Sequence, residues 1–270
     1  MKLYTGQISY YADILQNRKD LPYILFLHGF MGSGGGFSCL TDRLAEFCNP
    51  VTLDLAGHGR TSGSEDPKRY ITGNQLNDLK SILDRLRLSP LILYGYSMGG
   101  RLALQLTVSD PGLMDGMILE STSPGIPDRR ERRNRRKLDE ERAAAIEQDF
   151  PAFLRDWQQK PLFRSGGAGT ATEYENIMEL QNPAYMAACL RGFGSGAMQP
   201  VFQQLPSLHV PSLLLAGRGD DKFISIHQRM EAEMPAATSR IVDGASHRVH
   251  RDQPGTVLKE IENFINGLNI

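Results

Sequence analysis

The chain has 270 residues, with 30 Lys+Arg against 31 Asp+Glu and a formal charge of −1. At roughly 100–200 residues per domain, this length makes one large domain or a core with a modest appendage. With 40% of residues hydrophobic and 23% charged, the composition argues against wholesale disorder and against a generally basic nucleic-acid-binding surface. The longest apolar runs, such as residues 24–27 and 91–94, fall far short of the roughly 20 that a membrane helix needs, so no membrane insertion is expected. The opening residues MKLYTGQISYYADILQ scatter polar groups where a secretory leader needs an apolar stretch, and read as mature sequence. Cys39, Cys48 and Cys189 are odd in number and show no C-x-x-C or zinc-finger spacing. They read as small buried or half-buried side chains in a reducing compartment, and a cytoplasmic location is expected.

Along residues 1–120, short β-branched or leucine-rich runs alternate with longer amphipathic stretches, the pattern of a parallel sheet covered by helices on both faces. Strands are expected at 2–10, 23–28, 51–54, 91–94 and 116–120, and helices at 35–47, 71–88 and 97–109. Gly6 interrupts the first strand and suggests an antiparallel pair there. From residue 121 to about 205 strand signals vanish, charges crowd in and helical spacing takes over at 129–148, 151–159, 172–180 and 183–191. Strand signals return at 212–216 and 240–242, and a helix is expected at 256–268. The arrangement implied is a core of residues 1–120 and 206–270 interrupted by a helical cap, residues 121–205. There is no internal repeat and no low-complexity segment.

Residues 91–100 read LILYGYSMGG, in which Gly95-Tyr96-Ser97-Met98-Gly99 fits G-x-S-x-G between an apolar strand and a helical stretch. So sharp a turn strains the serine backbone and needs flanking glycines, pushing the Ser97 hydroxyl into the open at the carboxyl end of the sheet. A chain with 27 glycines can produce the motif by chance, so partners must decide. A serine hydroxyl is not nucleophilic or basic at neutral pH until an imidazole takes its proton, and that imidazole needs a carboxylate to hold its tautomer. LLLAGRGDDKF supplies Asp220 and Asp221 after one strand, and VDGASHRVH supplies His247 after the next. The order Ser, acid, His is that of α/β-hydrolases. His28 and His58 precede Ser97 and read as buried hydrogen-bonding groups near the active-site turns, while His209, His227 and His250 read as surface. No histidine arrangement suggests a metal, and no cofactor is expected.

The segment HGFMGSGGG, residues 28–36, follows the first parallel strand, where the hydrolase fold supplies one oxyanion-hole amide and the residue after the nucleophile supplies the other. These are Phe30 and Met98. A phosphate cradle is the rival reading, but Gly-Lys-Ser/Thr is missing and the glycines miss G-x-G-x-x-G spacing.

With these motifs the sequence resembles the α/β-hydrolase superfamily over almost its whole length, which implies a mostly parallel eight-stranded sheet. More closely, it resembles the 2-succinyl-6-hydroxy-2,4-cyclohexadiene-1-carboxylate synthase family of menaquinone and phylloquinone biosynthesis. The match is carried by LHGFMGSG (27–34), DLAGHGRTS (54–62), GYSMGGR (95–101), STSPGI (121–126), DWQQKPLF (156–163), LRGFGSGAMQP (190–200) and GDDKF (219–223). The resemblance implies a lyase whose Ser-His-Asp triad hydrolyses nothing. The triad removes a proton alpha to the succinyl ketone of 2-succinyl-5-enolpyruvyl-6-hydroxy-3-cyclohexene-1-carboxylate, and pyruvate departs. His247 would deprotonate Ser97, Ser97 would act on carbon, and the D-x-K-F match selects Asp220 over Asp221 to orient His247.

The implied partner is a small polycarboxylate, which planar guanidinium forks suit. Arg101 follows the turn by one helical turn. In the basic run RRERRNRRK, residues 129–137, the family pattern E-R-x-x-R-x-x-x-D picks out Arg135, with Asp139 as its helical neighbour. Tyr96 is expected to border the pocket and Trp157 to contact substrate. Ala56 and Ser246 depart mildly from the family pattern. A third carboxylate-binding arginine that the family pattern places just ahead of Asn-Pro is replaced by Glu179, Leu180 and Gln181, so either Arg191 or another cation substitutes or the substrate differs. A serine hydrolase acting on an ester or C–C bond of a small acid would carry the same triad, and a ligand-binding protein could keep the same fold. Oligomeric state is not legible in the sequence.

Overall fold

The computed structural model describes residues 1–160 and 171–270. Its eight strands are β1 (Lys2–Thr5), β2 (Ile8–Ile14), β3 (Tyr23–Leu27), β4 (Asn49–Asp54), β5 (Leu91–Tyr96), β6 (Gly116–Glu120), β7 (Ser212–Gly217) and β8 (Ala237–Val242). They form one sheet in the order β1-β2-β4-β3-β5-β6-β7-β8. The β1–β2 and β2–β4 pairs are antiparallel and every other pair is parallel. The first expected strand is thus two, joined by a turn with Gly6 at φ 54.

Among the described residues ten α-helices follow in chain order: α1 (Ser38–Leu44), α2 (Thr72–Leu86), α3 (Met98–Ser109), α4 (Arg129–Gln148), α5 (Phe150–Gln158), α6 (Ala171–Glu179), α7 (Pro183–Phe193), α8 (Asp221–Glu233), α9 (Val249–Asp252) and α10 (Pro254–Asn266). Strands buried on both faces sort their side chains by parity. Leu25, Leu27, Leu91 and Leu93 meet α2, α3 and α8 on one face, while Ile24, Phe26, Ile92 and Tyr94 meet α1 and α10 on the other.

Three element expectations change. Residues 34–37 form a 3₁₀ turn before the short α1, α8 occupies a stretch where no helix was expected, and β8 begins at Ala237. β8 was hard to read because it lies at the sheet edge, where polar residues alternate with half-buried ones. Between β6 and β7 the chain leaves the sheet, and α4–α7 pack around their own apolar cluster, which includes Ile146, Phe153, Met178 and Leu190. Residues 161–170, including the Pro-Leu-Phe of the DWQQKPLF segment, lie outside the described residues.

Helix α3 packs tightly against β3. A Cβ on Gly99 would fall 2.0 Å from the Leu27 carbonyl oxygen, so only glycine lets the start of α3 lie against the end of β3. Gly99→Ala is expected to lower the urea-unfolding free energy by more than about 2 kcal/mol. Gly73→Ala, in open space on the first turn of α2, is expected to raise it by about 0.5–1 kcal/mol.

Candidate active site

β5 is buried throughout and ends one residue before Ser97, which takes φ 50 and ψ −103. Three bonds hold this strained residue. Its N–H donates to the Glu120 carbonyl at 2.9 Å, and its carbonyl accepts from Thr122 Oγ1 at 2.7 Å and from the Arg101 N–H at 3.1 Å. Helix α3 begins at Met98, so its first amides lack intrahelical acceptors and its positive end faces the turn.

Asp220 ends the turn after β7, and His247 lies in the loop after β8. Adjacent parallel strands end on one side of the sheet, so these loops converge on Ser97. His247 Nε2 stands 3.2 Å from Ser97 Oγ, and Nδ1 stands 2.7 Å from Asp220 Oδ2. His247 and Asp220 are only 3% and 6% exposed, so the pair is shielded from competing water. With Nδ1–H donated to the carboxylate, Nε2 is left to accept from the serine hydroxyl. The rings of Phe223 and Tyr96 lie 4.8 and 5.5 Å from the imidazole and limit its rotation. Asp221, which sequence spacing could not separate from Asp220, is exposed at the start of α8.

The turn opens into a cavity of about 530 Å³ lined by Phe30, Tyr96, Ser97, Met98, Arg101, Arg135, Trp157 and His247. All the expected site residues therefore border it except Asp220, which lies behind His247. Arg101 donates to Ser195 Oγ and lies over the Phe193 ring, and burial together with neighbouring Arg135 pushes its guanidinium down to about 10. Arg135 Nε donates to Asp139 Oδ1 at 2.7 Å. The LRGFGSG segment explains how Asp139 can be 4% exposed yet satisfied. Gly196, where a Cβ would meet the Arg136 amide nitrogen at 2.5 Å, lets the chain reach Asp139 Oδ2 with its own N–H. Trp157 stacks on Phe153 and meets Phe30 edge-on at 6.1 Å.

Sequence reasoning missed several further cations on the wall, among them Arg142, Lys222 and Arg248. Arg142 had a signal: it lies seven residues after Arg135 on the same helix face and shares Asp139 at 3.7 Å. Against this positive lining the wall presents, among the described residues, a single acid, Glu131. Among the described residues no group of three or more His, Cys, Asp or Glu could hold a metal ion.

Three expectations are corrected. His227 and His250 are not surface residues, being 0% and 1% exposed. His227 lies within 3.3 Å of the Thr122 amide nitrogen, and His250 joins Glu120. Their helices turn polar residues inward beneath the site, which local pattern does not reveal. Arg191 does not reach the cavity: it is tied to Glu140 and Glu147, with Nε 3.0 Å from Glu140 Oε1. Gln181, in the place expected for a third arginine, is buried and accepts from the Gly59 N–H at 3.1 Å. His28 and His58 are buried as read, and their rings lie 5.2 Å apart. His209 is exposed as read.

The pattern that defines the Alpha/beta hydrolase family matches residues 24–260. A putative 2-succinyl-6-hydroxy-2,4-cyclohexadiene-1-carboxylate synthase from Bacillus subtilis is 34% identical over 91% of this chain and 90% of its own length. The synthase of that name from Klebsiella pneumoniae is 29% identical over 92% of this chain and 95% of its own length. The structure of MenH from S. aureus superposes with a TM-score of 0.89 at 29% identity, covering 95% of this chain and 97% of that one. The chain belongs to the alpha/beta hydrolase family and, within it, to the 2-succinyl-6-hydroxy-2,4-cyclohexadiene-1-carboxylate synthase family. No helix among the described residues is long and apolar enough to cross a membrane.

Burial drives the imidazoles of His28 and His227 down to about 4, and burial together with His28 drives His58 down to about 3. These groups are neutral in the fold and titrate near 6.5 once unfolded, so below that pH unfolding takes up protons. Their contribution to stability is complete above about pH 7 and is lost as pH falls from about 6.5 toward 4. Urea titrations at pH 7.5, 6 and 5 should show the midpoint dropping across this range; a flat profile would contradict their buried, neutral state.

Proposed function

We propose that the chain is a carbon–oxygen lyase that releases pyruvate from 2-succinyl-5-enolpyruvyl-6-hydroxy-3-cyclohexene-1-carboxylate and needs no cofactor. The observation that carries this reading is the Ser97–His247–Asp220 relay opening into a cavity walled by guanidinium groups, in a chain of this family. Comparing substrate and product defines the electron flow. The C2 proton, alpha to the ketone, is removed; the ring double bond shifts from C3–C4 to C2–C3 and C4–C5; and the C5–O bond breaks, releasing the enolate of pyruvate. His247 Nε2 takes the Ser97 proton, Ser97 takes the carbon proton, and Asp220 steadies the imidazolium. The amides of Phe30 and Met98 hold the ketone oxygen as it becomes an enolate, a contribution of roughly 3–4 kcal/mol per donor in acyl-transfer enzymes.

Arg101 and Arg135 bind substrate carboxylates, Tyr96 and Trp157 shape the pocket, and residues 121–205 act as a cap that holds Arg135 over Ser97. Burying cations without matching acids costs free energy in the empty site, and a polycarboxylate offsets that cost on binding. The elimination consumes no water.

Purified protein should release pyruvate from the enolpyruvyl substrate and scarcely turn over p-nitrophenyl esters. Ester turnover without pyruvate release would make it a serine hydrolase instead. Ser97→Ala should lower kcat by at least about 1,000-fold, whereas Arg135→Ala should act chiefly by raising KM, by about tenfold or more. Small and equal effects in both variants would overturn the assignment.

A further inference from the structure

Behind the relay lies a second acid–imidazole pair that the proposed chemistry does not use. Glu120, the last residue of β6, is 0% exposed, and His250, on α9, is 1% exposed. Three donors converge on the Glu120 carboxylate. His250 Nδ1 lies 2.8 and 2.9 Å from its two oxygens, the His250 backbone N–H reaches Oε1 at 3.2 Å, and the Tyr94 hydroxyl reaches Oε2. An ionised carboxylate, which only accepts, satisfies all three.

The two ends of Glu120 reach the two halves of the relay. Its backbone carbonyl is the acceptor for the Ser97 N–H at 2.9 Å, while its carboxylate holds the segment that begins at His247, three residues before His250. The Tyr96 ring fills the space between, 5.5 Å from the His247 ring and 5.0 Å from the His250 ring. Two further bonds pin the same segment. Cys39 Sγ lies 3.3 Å from the His250 carbonyl oxygen, and the Ser246 N–H donates to Asp252 Oδ2 at 2.8 Å. A buried acid–imidazole pair adds little stability over an apolar pair of similar volume, so stability alone does not account for it.

We propose that Glu120 and His250 form a brace that sets the separation of Ser97 and His247, with Glu120 a positioning residue for the relay. The brace rests on the reading of Ser97 and His247 as reacting groups, but not on the identity of the substrate. Glu120→Gln keeps the volume, removes the charge and replaces one acceptor oxygen with an NH2 group, so a bond to that position is lost or must reverse. His250→Asn keeps a donor near Nδ1, and His250→Leu removes it.

Glu120→Gln and His250→Leu should lower kcat for pyruvate release by about 10- to 100-fold while KM stays within about twofold, and His250→Asn should recover most of the loss. The low-field proton resonance of His247 Nδ1–H should move or broaden in Glu120→Gln. An unchanged kcat together with an unmoved resonance in a folded Glu120→Gln protein overturns the brace. Should that variant fail to fold, equal kcat for His250→Asn and His250→Leu overturns it. If wild-type protein releases no pyruvate, the lyase reading fails by itself, and the His247 resonance still decides the brace.

Discussion

The geometry of the site descends from one constraint: parallel strands that end together send their loops out on the same side. β5 delivers Ser97, β6 delivers Glu120, β7 delivers Asp220 and the edge strand β8 leads to His247. Residues 150 positions apart in sequence thus meet at hydrogen-bond distance. The positive φ of Ser97 is tolerated because its N–H and carbonyl are both bonded and because α3 can press against β3 at Gly99.

The lining of the cavity is electrostatically one-sided. Arg101, Arg135 and Arg142, all half-buried, line one cavity, and Asp139 is the carboxylate that Arg135 and Arg142 share. Asp139 aims the Arg135 guanidinium but leaves the wall positive, and burial strengthens each charge by excluding water. Behind that wall His247 and Asp220 lie buried, with the rings of Tyr96 and Phe223 against the imidazole. Tyr96 in particular packs against both His247 and His250, so the last side chain of β5 also contacts the imidazole segment.

The fold class was legible because its signals are local. Apolar runs punctuated by glycine turns, helical spacing and the order Ser97, Asp220, His247 each occupy a few adjacent residues or a simple sequence in the chain. Arg101 was legible for a similar reason, lying one helical turn from Ser97, and Arg135 through the family pattern. Elements with weak local signals were not: the edge strand β8 is half polar, and α8 has a polar face that hides the buried His227.

By itself, the sequence determined the sheet-and-helix alternation, the serine turn and the residue types able to pass a proton, because backbone preference and chemical identity belong to each residue and its neighbours. Only the tertiary structure decided that His227 and His250 lie buried. It also turned Arg142 into the cavity while tying Arg191 to Glu140 and Glu147, and buried Glu120 with His250 behind the relay. Those outcomes depend on how elements distant in the chain pack together. Side-chain direction relative to another element is a property of that packing, and a local pattern does not carry it.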